Sequence, residues 1–353
     1  MDAAPWPAGW TGGRTDGQSR TGDPGDEFAV IERLRARFEA PSEGAGRAAT
    51  RLRAGEVGIG DDAAVVLPPA DGPVLLATDL VVEGVHVDLG LCGLDDVGYK
   101  AVMVTVSDLA AMGARPDHLL LSVAAPPGTD LDLLGSGVDV AARETGCVVV
   151  GGDLSNGPAL AVSVAVSGSL RSPTDPGPLL RSGARPGDLL FLTGPLGASA
   201  AGLRLLRGTA APVAGSADPA WAALVGAHRR PVARLAEGEA ARLAGASGCI
   251  DLSDGLAADA RHLAVASEVG VAIEGVPAAE GATVAEALSG GEDYELLIAV
   301  GEEVDLERVF AGAGLRRPLP IGRCDGRAGS CTLDGRPLPG SGWVHRFDPQ
   351  DRG

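Results

Sequence analysis

Short apolar runs that give way to glycine and aspartate recur along this chain, and they point to a mixed fold whose strand ends face a ligand. The run before Asp79 reads as a strand over residues 74–78, the run before Gly151-Gly152-Asp153 as one over 147–150, and the run at Asp251-Leu252-Ser253-Asp254-Gly255 as one over 249–252. Further β-prone runs fall at 63–67, 119–124, 160–166, 188–192, 271–273 and 294–300. Between them, helical patterns cover 95–112, 131–144, 198–206, 231–243 and 256–267, with a loop rich in Ala and Pro before residue 231. Helices and strands interleaved in this way predict an α+β protein.

At 353 residues the chain has room for two hydrophobic cores, taking ~150 residues per domain. Residues 1–26 are rich in Gly, Pro, Thr, Asp and Arg with almost no aliphatic side chains, so a disordered extension is expected there. Order is expected from Glu27, where Phe28, Val30, Ile31, Leu34 and Phe38 recur at helical spacing. A stretch rich in Pro, Ser and Gly at 171–178 marks the expected boundary between an N-terminal domain over 27–170 and a C-terminal domain over 171–350.

The formal net charge of -18 leaves no basic face to displace counterions, so nucleic acid and anionic membrane are poor partners. Lys100 is the only lysine, which reads as a compositional preference for Arg. The cysteines, Cys92, Cys147, Cys249, Cys324 and Cys331, are odd in number and form no CxxC pair, which argues against a zinc cluster or a disulfide framework. A reducing, cytoplasmic setting fits best. The sequence opens without a basic segment followed by an apolar run, and no stretch of ~18 apolar residues occurs, so neither secretion nor membrane insertion is expected.

Each acidic segment can be read in two ways. Asp61-Asp62 suits a polar turn, and the match of residues 58–63 to G-x-G-x-x-A is set aside. That fingerprint must open a helix that receives a pyrophosphate, whereas here a short β-prone run is stopped by Pro68 and Pro69. Asp79, at the end of its run, is either on a ligand-binding rim or at a solvated strand terminus. Asp108 stands with Thr105 and Ser107 in an apolar helix, and burying a lone carboxylate is costly unless it is paired or holds a metal, so a functional role leads. Gly151 and Gly152 could let backbone N–H groups approach a phosphate with Asp153 holding its counter-cation, or could simply turn the chain. Ser253 or Asp254 could cap the helix that follows. The segment from Ser289 to Glu295 is another candidate turn, and His86 alone carries little weight.

Taken together, acids flanked by Gly, Ser or Thr suggest an oxygen-rich site for hard cations, since magnesium binds through one or two carboxylates plus substrate phosphates. The sequence lacks a G-x-x-x-x-G-K-[ST] loop, so nucleotide binding would work through metal ions and backbone amides.

The motifs GIGDDAAVV (58–66), ATDLVVEGVH (77–86), YKAVMVTVSDLAAMGARP (99–116), VVGGDLSNGP (149–158), LRSGARPGDLLFLTGPLGASAAGL (180–203), IDLSDGLAADARHL (250–263) and LSGGEDYELLI (288–298) resemble, in order, those of the thiamine-monophosphate kinase family. The resemblance implies the two-domain fold of aminoimidazole-ribonucleotide synthetase and its relatives, with ATP and thiamine monophosphate as substrates, several Mg²⁺ ions and a homodimer. It implies magnesium ligands at Asp62, Ala77 (through its carbonyl), Thr78, Asp79, Asp108, Asp153 and Asp251, with Asp254 in a further metal site. Gly152, Asp153, Arg181 and Ser253 would contact ATP, and His86, Glu292 and Trp343 the thiamine phosphate. Ala77 stands where relatives often carry a hydroxyl, and Leu154 and Asn156 replace more usual polar or basic residues.

The implied reaction is direct transfer of the ATP γ-phosphoryl group to the phosphate of thiamine monophosphate, with no amino acid acting as base or nucleophile. Three related enzymes fit less well. A selenophosphate synthetase needs a reactive Cys and a Lys early in the chain, the hydrogenase factor a C-terminal Cys, and the ribonucleotide synthetase matches LSDGL and SGGEDYEL poorly. A nucleotide sensor without catalysis is the rival from another class, and retention of the acidic set weighs against it.

Overall fold

A computed structural model of the chain describes residues 27–39, 52, 56, 58, 59, 64, 66, 67, 72–170, 176–208, 219–339 and 342. The expected extension before Glu27, residues 171–175 of the expected linker, Asp62 and Trp343 lie outside them.

The first unit runs α1 (Glu27–Glu39), β1 (Val74–Val82), α2 (Leu94–Ala111), β2 (Arg115–Ala125), α3 (Leu131–Thr145), β3 (Val148–Asn156) and β4 (Ala161–Ser169). Its sheet has the order β1-β4-β2-β3, antiparallel except for the parallel β2/β3 pair. One face is covered by α2 and α3, and the alternating strand β4 sends Val162, Val164 and Val166 into that core. The two helices cross closely because Gly98 and Gly137 carry no Cβ: one at Gly98 would strike the Leu134 carbonyl, and one at Gly137 the Asp95 carbonyl.

The second unit runs β5 (Leu189–Leu192), α4 (Ala198–Arg207), α5 (Pro219–Arg229), α6 (Leu235–Leu243), β6 (Gly248–Asp251), α7 (Leu256–Ala266), β7 (Gly270–Ile273), α8 (Val284–Ser289), β8 (Leu296–Val300), α9 (Leu306–Gly312), β9 (Leu319–Asp325), β10 (Cys331–Leu333) and β11 (Arg336–Pro337). The sheet order is β11-β10-β7-β9-β5-β8-β6. Leu190, Leu297 and Ile250 pack towards α7, while Phe191, Ile298 and Cys249 pack with Phe310 of α9 and with Ala110 and Ala111 of α2. A strand covered on both faces reads as a continuous apolar run, which is why Leu296–Val300 is buried throughout. The end of α2 thus belongs to both units and makes the seam between them. Two sheets with helices laid on them agree with the expected α+β, two-domain architecture.

Several local expectations are corrected. β1 continues four residues beyond 78, so Asp79 is inside a strand and not at its end. β3 runs through Gly151-Gly152-Asp153 to Asn156 where a turn was one reading. A bulge at Leu119/Leu120 resets the β2/β3 register there, and Gly152 is needed because a Cβ would strike the Leu121 carbonyl. Of the expected strand at 63–67, residues 64, 66 and 67 are described and none is in a strand; the Leu67 N–H donates to Glu56 Oε1 at 3.0 Å instead of to a ladder. The helix expected over 231–243 begins at Leu235. The Ala- and Pro-rich loop before it contains α5, which starts on a proline, as a first helical turn allows, and buries Leu224, Val225 and His228. Among the described residues no helix is long and apolar enough to cross a membrane.

Candidate active site

Residues directly opposite one another in a sheet share a face. Asp79 pairs with Val164, and Val164 with Leu121, both in the core beneath α2, so the Asp79 side chain points towards that helix. Asp108 stands in the last turn of α2, and Asp251 closes β6 in the second unit. Ser107 Oγ donates a 2.8 Å hydrogen bond to Asp251 Oδ2, tying α2 to β6 across the seam. Three carboxylates far apart in sequence are therefore neighbours.

Their electrostatics show the crowding. Burial, then the charges of Asp251 and Asp79, pushes Asp108 up to about 7, with Arg181 opposing. Burial followed by Asp251 raises Asp79. Burial raises Asp251 too, while Ser107 and the Arg181 guanidinium hold it down. Behind them, burial together with Asp251 and Asp254 pushes Asp259 up to about 8, although its Oδ2 accepts 3.1 Å hydrogen bonds from the backbone N–H groups of Asp254 and Gly255. Asp254, Asp259 and His262 also bring one ligand atom each within 4.8 Å of one another. Burial first and mutual repulsion second disfavour the ionised forms here, and a divalent cation would relieve the repulsion. The all-oxygen set of Asp79, Asp108 and Asp251 suits a hard ion such as Mg²⁺.

Cavities flank β1 on both faces. One of about 480 Å³ is lined by Ala77, Asp108, Met112, Leu180 and Arg181. The other, of about 1180 Å³, lies on the open face and is lined by Thr78, His118, Leu120, Ser122, Gly152 and Asp153. The register explains the division: Thr78 aligns with Ala165, Leu120 and Gly151 on the open face, and Asp153 aligns with Ser122 there. Thr78 Oγ1 donates to the Val164 carbonyl at 3.0 Å. The structure thus brings Asp79, Asp108 and Asp251 together with Arg181, Ser107 and Asp254, and puts Thr78 and Asp153 across the sheet from them.

The two C-terminal motifs lie side by side. The N–H groups of Glu292 and Tyr294 donate to the carbonyls of Ser253 and Leu252 at 2.7 and 3.0 Å, and Leu252 N–H donates to Glu295 O at 2.8 Å. These bonds hold Glu292 at φ 57 and Tyr294 at φ 50, left-handed positions that cost a side-chain-bearing residue about 1–3 kcal/mol. Each acid of this segment has a partner. Asp293 accepts from the N–H groups of Gly197 and Ser199 at the start of α4, at 2.6 and 3.3 Å. Glu295 takes a forked pair of bonds from Arg234 at 3.0 and 2.6 Å. Glu292 meets Lys100 Nζ at 2.7 Å. His86 follows β1, and its Nδ1 accepts from the Val82 N–H at 3.1 Å.

Sequence reasoning passed over Lys100 and His228. A signal for Lys100 was available, because an ammonium inside an apolar helix needs a partner as much as Asp108 does.

Residues 60–170 match the family described as AIR synthase related protein, N-terminal domain. The chain is 34% identical to the thiamine-monophosphate kinase of Mycobacterium tuberculosis strain H37Rv over 93% of each protein. The crystal structure of thiamine-monophosphate kinase from Stenotrophomonas maltophilia K279a superposes with a TM-score of 0.75 at 31% identity, over 88% of this chain and 97% of that one. The structure of AaThiL complexed with AMPPCP and TMP superposes with a TM-score of 0.68 at 32% identity, over 79% of this chain and 89% of that one.

Proposed function

Because the chain belongs to the thiamine-monophosphate kinase family, we propose that it transfers the γ-phosphoryl group of ATP to thiamine monophosphate, giving thiamine diphosphate and ADP. The observation that carries this reading is the convergence of Asp79, Asp108 and Asp251 at the domain seam, joined by the Ser107–Asp251 hydrogen bond. A relative of the same fold, complexed with AMPPCP and TMP, supports the pairing of a nucleotide with a phosphorylated acceptor.

The attacking atom in such a reaction is a phosphate oxygen, already ionised at neutral pH because a phosphomonoester has a second pKa of about 6. No strong general base is required, and positioning with charge neutralisation supplies the catalysis. Asp79, Asp108 and Asp251 would hold Mg²⁺, with Asp254 at a further ion; Asp153 and Thr78, on the opposite face of the first sheet, stand apart from this cluster. Bound Mg²⁺ supplies the positive charge that lets two polyanions approach each other. Arg181, electrostatically coupled to Asp108 and Asp251, adds a fixed cation to the same end. Gly152 and Ser253 complete the nucleotide contacts, and His86 and Glu292 face the acceptor.

The working unit in this reading is a homodimer. Leu76 is 78% exposed, and Val74, Leu80 and Leu120 also stand open to solvent on one face of the first sheet. An exposed apolar sheet face of this kind fits a second copy of the chain.

Incubation with ATP, Mg²⁺ and thiamine monophosphate tests the activity. One thiamine diphosphate per ADP is expected; ATP binding without product would favour a sensor instead.

A further inference from the structure

Lys100 is the only lysine of the chain, and Arg supplies every other basic charge besides histidine. It lies on α2 with 1% of its side chain exposed. An ammonium so deeply buried persists only where it is paired. Its Nζ donates to Glu292 Oε1 at 2.7 Å and lies 3.5 Å from the His86 carbonyl oxygen. The second carboxylate oxygen, Glu292 Oε2, is 3.4 Å from His228 Nδ1, and that nitrogen is 3.1 Å from Ser199 Oγ. Burial, then the Lys100 charge, pushes His228 down to about 4, so the imidazole is neutral and Lys100 carries the charge that balances Glu292.

One ammonium therefore joins the loop after β1 to the loop before β8, each from a different unit. Those two loops carry His86 and Glu292. Glu292 keeps 26% of its side chain exposed, so a ligand can reach the carboxylate while Lys100 stays behind it. The left-handed backbone at Gly291 and Glu292 fixes the carboxylate from its other end. A guanidinium is a larger planar group with five donors, whereas Glu292 and the His86 carbonyl here meet a compact ammonium.

We propose that Lys100 is a positioning residue for the phosphate acceptor: it sets Glu292 and the His86 loop against each other across the domain seam and so governs acceptor affinity. The inference rests on the acceptor-side role of His86 and Glu292 given above. Among the described residues Lys100 pairs with Glu292 and the His86 carbonyl and not with the acidic cluster that would serve the nucleotide, so its removal acts first on the acceptor.

The test compares wild type with Lys100→Met, Glu292→Gln and the double variant, using initial rates with each substrate varied in turn and calorimetric titration of thiamine monophosphate. Lys100→Met should raise the KM and Kd for thiamine monophosphate about tenfold or more and leave the KM for ATP within about twofold. The double variant removes both charges together, so it keeps the fold even if Lys100→Met does not. Its acceptor affinity should match that of Glu292→Gln, because the two residues act as one unit. Equal rises in both KM values, or a double variant whose loss is the product of the single losses, would overturn the role of Lys100. A wild-type protein that neither binds nor phosphorylates thiamine monophosphate would sink the proposed activity as well, and the wild-type measurement alone tells the two failures apart.

Discussion

Ser107 Oγ and Asp251 Oδ2 meet at 2.8 Å across the boundary between the two sheets. Burial, with Asp254 adding to it, raises the carboxylate, while the hydroxyl, the Arg181 guanidinium and a backbone N–H hold it down. The acidic cluster is strained by burial and by its own charge, and that strain has a pH dependence. In the unfolded chain these groups ionise near the ordinary carboxylate value of about 4. Folded, Asp108 is pushed up to about 7 and Asp259 to about 8. Between those limits the folded protein binds more protons than the unfolded one, so metal-free stability falls as pH rises from about 4 to about 8. His228, pushed down to about 4, acts in the opposite sense but only below its unfolded value of about 6.5. Differential scanning fluorimetry without metal should therefore give a lower Tm at pH 8 than at pH 6.5. Mg²⁺ displaces the protons and should raise Tm more at pH 8; equal gains at the two pH values would contradict the arrangement.

Asp79→Asn separates stability from activity. The neutral amide removes a carboxylate whose ionisation is disfavoured by burial and by Asp251, so the metal-free protein should melt at the same or a higher temperature. Turnover at ordinary Mg²⁺ should fall about a hundredfold or more. Full activity in this variant would remove Asp79 from the site.

How much of this could be read in advance varied with the element. The ends of α2 and β6 were legible within a residue or so, because α2 has helical periodicity and β6 is a run buried on both sides. β9 was not, since Pro320 and Gly322 interrupt its pattern and the register shifts opposite Leu190/Phe191. Asp79 read as a strand end because a carboxylate inside a strand violates the usual alternation, and only packing against α2 beside Asp108 explains it. Thr78 and Asp79 face opposite ways by strand alternation alone, but that Asp153 lies across the sheet from Asp79 follows from pairing register, which no motif spacing encodes. Lys100 was hidden by composition: in a chain so rich in Arg, a single Lys read as bias.

The exposed face of the first sheet makes its own prediction. Leu76→Asp puts a charge at the centre of the apolar patch formed with Val74, Leu80 and Leu120. Sedimentation of the wild-type protein should show a dimer, and the variant should dissociate with its helix content unchanged. A monomeric wild type would refute the dimer.

Direct attack by the acceptor phosphate fixes the stereochemistry. With ATP made chiral at the γ-phosphorus, a single in-line displacement inverts the configuration in thiamine diphosphate. Retention would require an even number of transfers, and hence a phosphorylated residue.

The metal site itself can be read without turnover, by titrating Mn²⁺ against the protein and AMPPCP and counting bound ions from the electron paramagnetic resonance of the free ion. Wild type should bind Mn²⁺, while Asp108→Asn and Asp251→Asn should each lose at least one ion or weaken by about tenfold or more. Undiminished Mn²⁺ binding in both variants, with the nucleotide still held, would show that the carboxylates at the domain seam do not hold the metal.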